Sequence, residues 1–251
     1  MRVVVISDTH CGHQYGLTPP KWWDDADTPQ GKIQRAMWTW FESRVSECGP
    51  YDSAIYNGDL IDGKGQSSGG TELITSDRKK QCDMAREVIE LVDAHKNHII
   101  YGTPYHTGKE EDWEAVLADS VDADISNHEW YEYCGVVLDC KHKVSGSIIP
   151  HGRYTGPARD ALWNTLWAEK QLQPKSDIII RSHVHYHVFL GDGSRLVMTT
   201  PCLQAKSKYG AKNFSGTITL GFVIIEINNG GYEWRAETMD MQFMAAVAKP
   251  L

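Results

Sequence analysis

Each strand predicted in the first three quarters of this chain ends in a polar motif, and this repetition restricts the chain to a small number of folds. The β-branched run from Arg2 to Ser7 predicts a buried strand and ends at Asp8-Thr9-His10. The exits of parallel strands meet along one edge of an open α/β sheet, where such folds bind their ligands. We therefore expect the carboxylates and imidazoles to converge there. The other strand exits carry Gly58-Asp59, Gly102-Thr103-Pro104-Tyr105-His106, Asp139-Cys140-Lys141-His142 and Ser182-His183-Val184-His185.

Strand and helix patterns alternate in the first half of the chain. Ile33, Met37, Phe41 and Val45 recur at helical spacing before the stop signal around Gly49. A glycine-rich loop follows the second strand, and a long helix is predicted from residue 71 onward. This order favours parallel βαβ units.

The second half of the chain has a different pattern. The segment from Trp130 to Val144 breaks at Gly135 and predicts a hairpin that begins a second sheet. A helix is predicted from Ala158 to Leu172, with one apolar face, and the tail is mostly strand, the longest from residue 217 to 227. The predicted fold class is α/β (α+β), with two packed sheets flanked by helices.

Composition limits the classes of function. A chain of 251 residues with 41% hydrophobic content can bury a full core, and we expect a single domain over residues 1–251. A net charge of −8 argues against a surface devoted to nucleic acid. The six cysteines form no Cys-x-x-Cys pair, and no apolar run approaches the roughly 20 residues of a membrane span. We expect a cytoplasmic protein without a signal peptide or a membrane partner, whose oligomeric state composition leaves open.

The motifs carry the chemistry of a metal centre. Asp8 and His10 are two residues apart at a strand end, so they can face one side and offer a hard oxygen and a borderline nitrogen. An isolated Asp-x-His is more often a turn-capping aspartate beside a surface histidine. An isolated Gly-Asp is more often an ordinary turn. The ordered series of motifs outweighs that interpretation and indicates a two-metal phosphoesterase.

This series resembles the motifs of the calcineurin-like metallophosphoesterases, which run Asp-x-His, Gly-Asp, Gly-Asn-His, His and Gly-His-x-His. The match extends from residue 3 to residue 185. The resemblance implies a four-layer αββα sandwich of two mixed sheets, holding two divalent ions bridged by an aspartate and a water. Manganese, iron and zinc all suit such ligands, and we favour manganese. The implied ligands are Asp8, His10 and His185 for one ion, Asp59 as the bridge, and His142 and His183 for the other.

One departure from the family pattern affects the second ion. The Gly-Asn-His motif is replaced by Gly102-Thr103-Pro104-Tyr105-His106, so the metal-binding asparagine is missing and two residues are inserted. We expect this ion to bind more weakly. Its replacement ligand is left open among the Thr103 hydroxyl and the carboxylates of Glu110, Glu111 and Asp112.

By the same resemblance, His106 is the histidine that contacts phosphate and protonates the leaving oxygen. Asp62 can accept a hydrogen bond from His106 and orient it. An equally good interpretation makes Asp62 a turn-forming residue before Gly63. Of these two interpretations we adopt the catalytic one, in which His106 acts on the substrate and Asp62 acts through His106.

The fourth motif leaves two candidate ligands. His142 ends the stronger strand, whereas Pro150 makes a strand-end position for His151 less natural, so we prefer His142. His187 is expected in the core or behind the ligands rather than as a ligand itself. His13 can contact the substrate, but we expect an ordinary loop role for it.

The predicted reaction is hydrolysis of a phosphodiester by a metal-activated hydroxide, with inversion at phosphorus. The substrate classes left open are a nucleotide, a short single-stranded nucleic acid and a small diester. The alternatives are a phosphomonoesterase and a catalytically weak metal-binding scaffold.

Two sets of side chains bear on the substrate. The loops around Trp22 and Trp23 and from Gly63 to Gly70 are predicted to wall the cleft, although we expect the tryptophan pair mainly to fasten its loop to the core. Five basic residues can meet a phosphate backbone, and three of them, the lysines, flank Tyr209 in one loop, but a solvated loop is the more common reason for such a cluster. These basic residues are Arg153, Arg159, Lys206, Lys208 and Lys212.

Overall fold

Two β-sheets face each other in the computed structural model, which describes residues 1–24, 27–108, 111–213, 215–240, 242, 245 and 248. The strands are β1 (Arg2–Ile6), β2 (Ser53–Tyr56), β3 (Asn97–Ile100), β4 (Asp124–Ser126), β5 (Glu129–Tyr133), β6 (Val136–Lys143), β7 (Ile178–Ser182), β8 (Val188–Asp192), β9 (Arg195–Thr199), β10 (Gly221–Asn228) and β11 (Gly231–Thr238). The helices are α1 (Pro29–Cys48), α2 (Arg78–Val92), α3 (Pro104–Thr107), α4 (Trp113–Ser120), α5 (Thr155–Glu169) and α6 (Lys208–Asn213).

The first sheet has the order β11-β10-β1-β2-β3-β4. Strands β1 to β4 run parallel, and β10 closes against β1 in the antiparallel sense. Successive side chains of a strand point to opposite faces, so β1 serves two cores. Val4 and Ile6 pack with residues of α1 and α2, whereas Val3 and Val5 pack against the second sheet.

The second sheet has the order β5-β6-β7-β9-β8. The hairpin β5-β6 is antiparallel, and β6, β7 and β9 run parallel. Helix α5 packs on β7, β8 and β9, and α1, α2 and α4 lie beside the first sheet. The layers are therefore helix, sheet, sheet and helix, which confirms the predicted four-layer α/β fold.

Two predicted boundaries were wrong by more than three residues. Helix α2 begins at Arg78 instead of Thr71, because the Asp77 side chain caps it by accepting the N–H groups of Lys79 and Lys80. The long strand of the tail begins at Gly221 instead of Thr217, after a bend.

Helix α5 differs most from its predicted packing. The expected apolar face is open to solvent: Leu162 is 60% exposed and Trp163 is 53% exposed. The helix instead buries Gly156, Pro157 and Asn164, and the Asn164 amide donates to Ser176 and to the carbonyl of Pro174. Among the described helices, none is long and apolar enough to cross a bilayer.

Candidate metal centre

Six residues predicted as metal ligands lie together at the strand exits of both sheets. Asp8 and His10 follow β1, and Asp59 follows β2, in the first sheet. His142 lies near the end of β6, and His183 and His185 follow β7, in the second sheet. They form two sets, each with one carboxylate and two imidazoles, and within each set the possible ligand atoms all lie within 4.8 Å of one another. We refer to Asp8, His10 and His185 as the Asp8 group, and to Asp59, His142 and His183 as the Asp59 group.

The Asp8 group is compact and buried. The Nε2 atom of His185 lies 3.2 Å from Oδ1 of Asp8 and 3.2 Å from Nε2 of His10. Oδ1 of Asp8 is buried and has no hydrogen-bond partner among the described residues. A buried carboxylate oxygen without a donor, facing two imidazole nitrogens, fits a divalent cation such as Mn²⁺, Fe²⁺ or Zn²⁺.

The Asp59 group is more open on one side. Nε2 of His142 lies 3.0 Å from Oδ2 of Asp59, and Nδ1 of His183 lies 3.8 Å from the same oxygen. The His183 side chain is 36% exposed. The two groups adjoin, since Nε2 of His142 is also 4.0 Å from Oδ1 of Asp8.

Hydrogen bonds orient two of the proposed ligand imidazoles. His10 donates from Nδ1 to Oδ1 of Asp62 at 3.1 Å, and His142 donates from Nδ1 to the carbonyl of Asn57 at 2.7 Å. Each bond leaves Nε2 directed at the carboxylates of the centre. An outer partner that fixes the tautomer in this way is the usual companion of a metal-binding histidine.

Asp62 has a different role from the predicted one. Its carboxylate accepts from His10, whereas His106 donates from Nδ1 to the backbone carbonyl of Asp62 at 2.8 Å. Nδ1 of His106 is 3.6 Å from the carboxylate, beyond hydrogen-bond distance. The main chain of Asp62 therefore orients His106, and its side chain orients His10. Ligand atoms of His10, Asp62 and His106 also lie close enough together to hold a metal ion. We interpret their closeness as a result of the hydrogen bonds that Asp62 makes with the two histidines.

Thr103 lies against Asp59, at the position where the motif departs from the family pattern. Its N–H donates to Oδ1 of Asp59 at 2.6 Å, and its hydroxyl lies 3.2 Å and 3.3 Å from the two carboxylate oxygens. Glu111 pairs with Arg78, and Asp112 caps α4. Glu110 lies outside the described residues. Thr103 is thus the only one of the described alternatives that reaches the centre.

The backbone of the centre is strained. Five of the six proposed ligands have positive φ, and only His142 does not. Non-glycine residues rarely adopt this left-handed conformation, and such strain clusters at functional sites. The five are Asp8 (φ 51°), His10 (44°), Asp59 (52°), His183 (75°) and His185 (56°).

Two glycines make room for these side chains. A Cβ atom at Gly58 would lie 2.4 Å from Nδ1 of His142, and Gly58 also has a φ of +87°. A Cβ at Gly102 would lie 2.2 Å from Oδ1 of Asp59. The glycine of each motif is therefore required by the side chain that it faces.

The centre attracts positive charge. Burial raises the pKa of Asp8 and of Asp59, but the histidines around them outweigh burial and hold both pKa values below their ordinary range. Burial lowers the pKa of His142, whereas Asp59 raises it to about 9. In the same way burial opposes protonation of His185, but Cys202 and Asp8 raise its pKa. The histidines thus compensate the two buried carboxylates, and a divalent cation can take over this role.

Sequence reasoning missed Glu114. This residue of α4 is fully buried, and its carboxylate accepts the N–H groups of Leu60 at 3.2 Å and Gly102 at 2.7 Å. Burial raises its pKa to about 7. Glu114 thereby joins the loop that carries Asp59 to the loop that carries Thr103. No local signal marks it, since a glutamate in a helix is ordinarily exposed.

The remaining histidines fall outside the two groups. His151 is exposed in a 3₁₀ segment (Pro150–Tyr154), which agrees with the preference for His142 at the centre. His187 donates from Nδ1 to the carbonyl of Thr199 at 2.6 Å. His13 is buried, accepts the N–H of Tyr15 and lines the cleft beside the centre.

A cleft of about 790 Å³ opens beside the two groups. The glycine-rich loop contributes Gly65 and Ser68 to its wall, as predicted. The expectation that Trp22 and Trp23 fasten their loop to the core is confirmed, since both pack against the core beside α1 and α2. The assignment of the loop around them to the cleft wall was wrong for its described residues, none of which lines the cleft. Trp23 donates from Nε1 to the carbonyl of Thr18 at 2.9 Å.

Solved structures with a similar backbone include Vps29 from Chaetomium thermophilum. It aligns at a TM-score of 0.50 and 10% identity, over 95% of this chain and 97% of that chain. The chain has the calcineurin-like metallophosphoesterase fold. No family model or curated protein matches the chain. Two other solved structures of this fold align less closely. These are an archaeal phosphodiesterase (TM-score 0.49, 15% identity, 94% of this chain and 100% of that chain) and Vps29 from Entamoeba histolytica complexed with Zn²⁺ (0.44, 16%, 95% and 99%).

The metallophosphoesterase fold explains why the strand exits meet. Strands from both sheets end at the same edge, so ligands far apart in sequence become neighbours. Similarity at this level of identity concerns the backbone alone, and the chemistry has to be inferred from the residues of this chain.

Proposed function

We propose that this protein is a metal-dependent phosphoesterase that hydrolyses phosphodiesters. One observation carries the proposal: two adjoining groups of one carboxylate and two imidazoles are built on left-handed backbone at the mouth of a cleft. Strain and buried charge of this kind lower stability, so they are expected where function requires them. The proposed ligands are Asp8, His10, Asp59, His142, His183 and His185, and Asp59 is the proposed bridge.

The ions proposed here are manganese, iron or zinc, with manganese favoured, since all accept imidazole and carboxylate ligands. The chemistry that two such ions supply is charge neutralisation on the phosphate and activation of a water near neutral pH. The protein residues hold the ions and orient the substrate for in-line attack.

His106 is the proposed general acid. Its Nδ1–H is held by the carbonyl of Asp62, and its Nε2 lies 3.9 Å from Oδ2 of Asp59 on the cleft side of the centre. When the bond from phosphorus to the leaving oxygen breaks, a proton from Nε2 can neutralise that oxygen. The imidazole ring also packs edge-to-face on His10 at 4.5 Å, which limits its rotation.

A diester is favoured over a monoester because the cleft extends well beyond the centre. A volume of about 790 Å³ falls in the range that accommodates a drug-sized ligand, so a substituent on each side of the phosphate can be enclosed. A monoester would leave much of this space to water.

The first experiment measures hydrolysis of bis-p-nitrophenyl phosphate by metal-stripped protein, with and without added manganese, zinc or iron. We expect metal-dependent turnover that Asp59→Asn lowers by more than about 100-fold, because a ligand loss should exceed the effect of losing an outer partner. Asp119→Asn, an exposed change in α4, is the matched control.

Parallel assays with p-nitrophenyl phosphate separate the two ester classes. A higher kcat/KM for the monoester would replace the diesterase by a phosphatase. No turnover of either ester with any of the metals would contradict the enzymatic proposal and favour the scaffold.

A further inference from the structure

The cleft wall away from the two metal groups is cationic, although the chain as a whole carries a net charge of −8. Lys143, Arg153 and Lys206 line this wall. None of them forms an ion pair with a carboxylate in the described part of the chain. Among the described residues, Glu72 is the one acidic residue in this wall, and its carboxylate accepts the N–H groups of Lys208 and Tyr209.

Arg153 is held in place without its charge being neutralised. Its guanidinium lies 4.3 Å from the ring centre of Tyr186, and Nη1 and Nη2 donate to the hydroxyl and carbonyl of Thr217 at 2.9 Å and 3.2 Å. A guanidinium has five N–H donors, so these contacts leave others free of partners. A Cβ atom at Gly216 would lie 2.5 Å from Nη2, so any larger residue there would displace the guanidinium from this position.

Tyr186 provides a second observation at the same place. It lines the cleft and is only 5% exposed, and its hydroxyl has no hydrogen-bond partner among the described residues. A preorganised guanidinium beside an unsatisfied buried hydroxyl is costly for a protein unless a ligand uses these groups.

Aromatic faces complete the wall. Tyr105 is 37% exposed and Tyr209 is 40% exposed, and both line the cleft. The Tyr105 ring also packs edge-to-face on the proposed acid His106, with ring centres 4.7 Å apart. Exposed tyrosines in a cationic groove are suited to stacking on nucleobases.

We propose that Arg153 and Lys206 bind a second phosphate on the same substrate molecule whose diester is cleaved. This inference rests on the proposed function and narrows the substrate to a nucleotide diester with a phosphate outside the scissile bond. Arg is suited to this task because it presents paired donors to phosphate oxygens. The limited size of the cleft and the acidic net charge favour a short nucleotide substrate over a long duplex.

The binding test uses metal-stripped protein and calorimetry with two products, thymidine 5′-monophosphate and thymidine 3′,5′-bisphosphate. We expect the bisphosphate to bind at least about tenfold more tightly, the effect of one charge-assisted hydrogen bond. Arg153→Gln should remove most of this difference. Arg86→Gln, which removes one positive charge from an exposed ion pair of α2 outside the cleft, should leave it unchanged.

Lys206→Gln provides a second variant if Arg153→Gln fails to fold, and it should reduce the same ratio. Equal affinities for the two nucleotides in the unmodified protein would overturn the proposal. So would binding of inorganic phosphate alone as tight as that of the bisphosphate, because the subsite would then take a free anion.

A kinetic test separates this inference from the proposed function. The p-nitrophenyl ester of thymidine 5′-phosphate is compared with the same ester that also carries a 3′-phosphate. We expect kcat/KM to be about tenfold higher for the second ester. If both esters are cleaved equally well, the diesterase stands and the subsite is wrong. If neither is cleaved but the Arg153-dependent binding ratio persists, the subsite stands and the enzymatic proposal fails.

Discussion

The Asp8 group and the Asp59 group each offer one carboxylate and two imidazoles, but their surroundings differ. In the Asp8 group, one carboxylate oxygen has no hydrogen-bond partner and the carboxylate of Asp62 supports His10. In the Asp59 group, Thr103 donates to the carboxylate, and His183 is partly exposed. A cation at the Asp59 group must compete with those hydrogen bonds and with water. The affinity of each group for a cation therefore depends on its surroundings as well as on the number of ligands. We expect the Asp8 group to bind a cation first.

The largest expected effect comes from removing the carboxylate charge of Asp8. Asp8→Asn should abolish the tighter of two metal-binding steps and lower turnover by more than about 100-fold, since it removes a charge that both imidazoles face. Metal content after gel filtration, together with bis-p-nitrophenyl phosphate hydrolysis, measures both effects. Retention of two ions per chain would contradict the assignment of Asp8 as a ligand.

Next, Gly58→Ala should damage the Asp59 group specifically. Its Cβ would collide with the ring of His142 and impose a strained φ, so we expect loss of the weaker metal step and about 1–3 kcal/mol less unfolding free energy. Urea denaturation and metal titration provide the measurements.

Gly230→Ala is the matched control for this variant. Gly230 also has positive φ (+79°), but a Cβ there would have nothing within 4 Å. It should lose stability without losing metal. If both variants keep two metal steps, the Gly58 contact is not needed by the centre.

A smaller effect is expected for Asp62→Asn. The amide can still accept from His10 but lacks the charge, so binding at the Asp8 group should weaken by about 10–100-fold while the Asp59 group is unaffected. Asp122→Asn, an exposed change, is the control. A fall in kcat with both metal affinities intact would instead mean that the carboxylate acts through His106.

The smallest effect is expected for Thr103→Asn. An amide oxygen beside Asp59 offers the weaker group an extra ligand, so its metal affinity should rise by up to about tenfold, with Thr103→Ser near the unmodified value. Calorimetric titration with manganese measures the change. Weaker binding would show that the hydrogen bond from Thr103 to Asp59 matters more than a fourth ligand.

Much of the fold was predictable from local patterns. The run from Val3 to Ile6 is apolar at every position because β1 is covered on both faces. The hairpin break at Gly135 was also predictable, because glycine is common where a turn requires positive φ. The turn residues Cys134 and Gly135 both have positive φ. By contrast, the packing of α5 was not, because periodicity shows which residues share a face but not whether another layer covers it.

The candidate site also has features that the sequence predicts and features that it does not. Strand-end placement follows from topology, so the meeting of Asp8, Asp59 and His142 could be expected. Which atom of Asp62 faces which histidine depends on side-chain rotamers that spacing does not determine. Glu114 was not predictable, because its partners are backbone N–H groups of two distant loops.

Each metal group draws ligands from both sheets, and this has a mechanical consequence. Asp8 and His10 follow β1 of one sheet, while His185 follows β7 of the other, and the Asp59 group is divided in the same manner. A bound cation would act as a cross-link between the layers of the sandwich. At a free metal concentration of 100 times Kd, such a link adds about 2.7 kcal/mol to the unfolding free energy. Chelation would therefore loosen one edge of the fold as well as stop turnover, so the thermal stability of the protein would follow the metal supply.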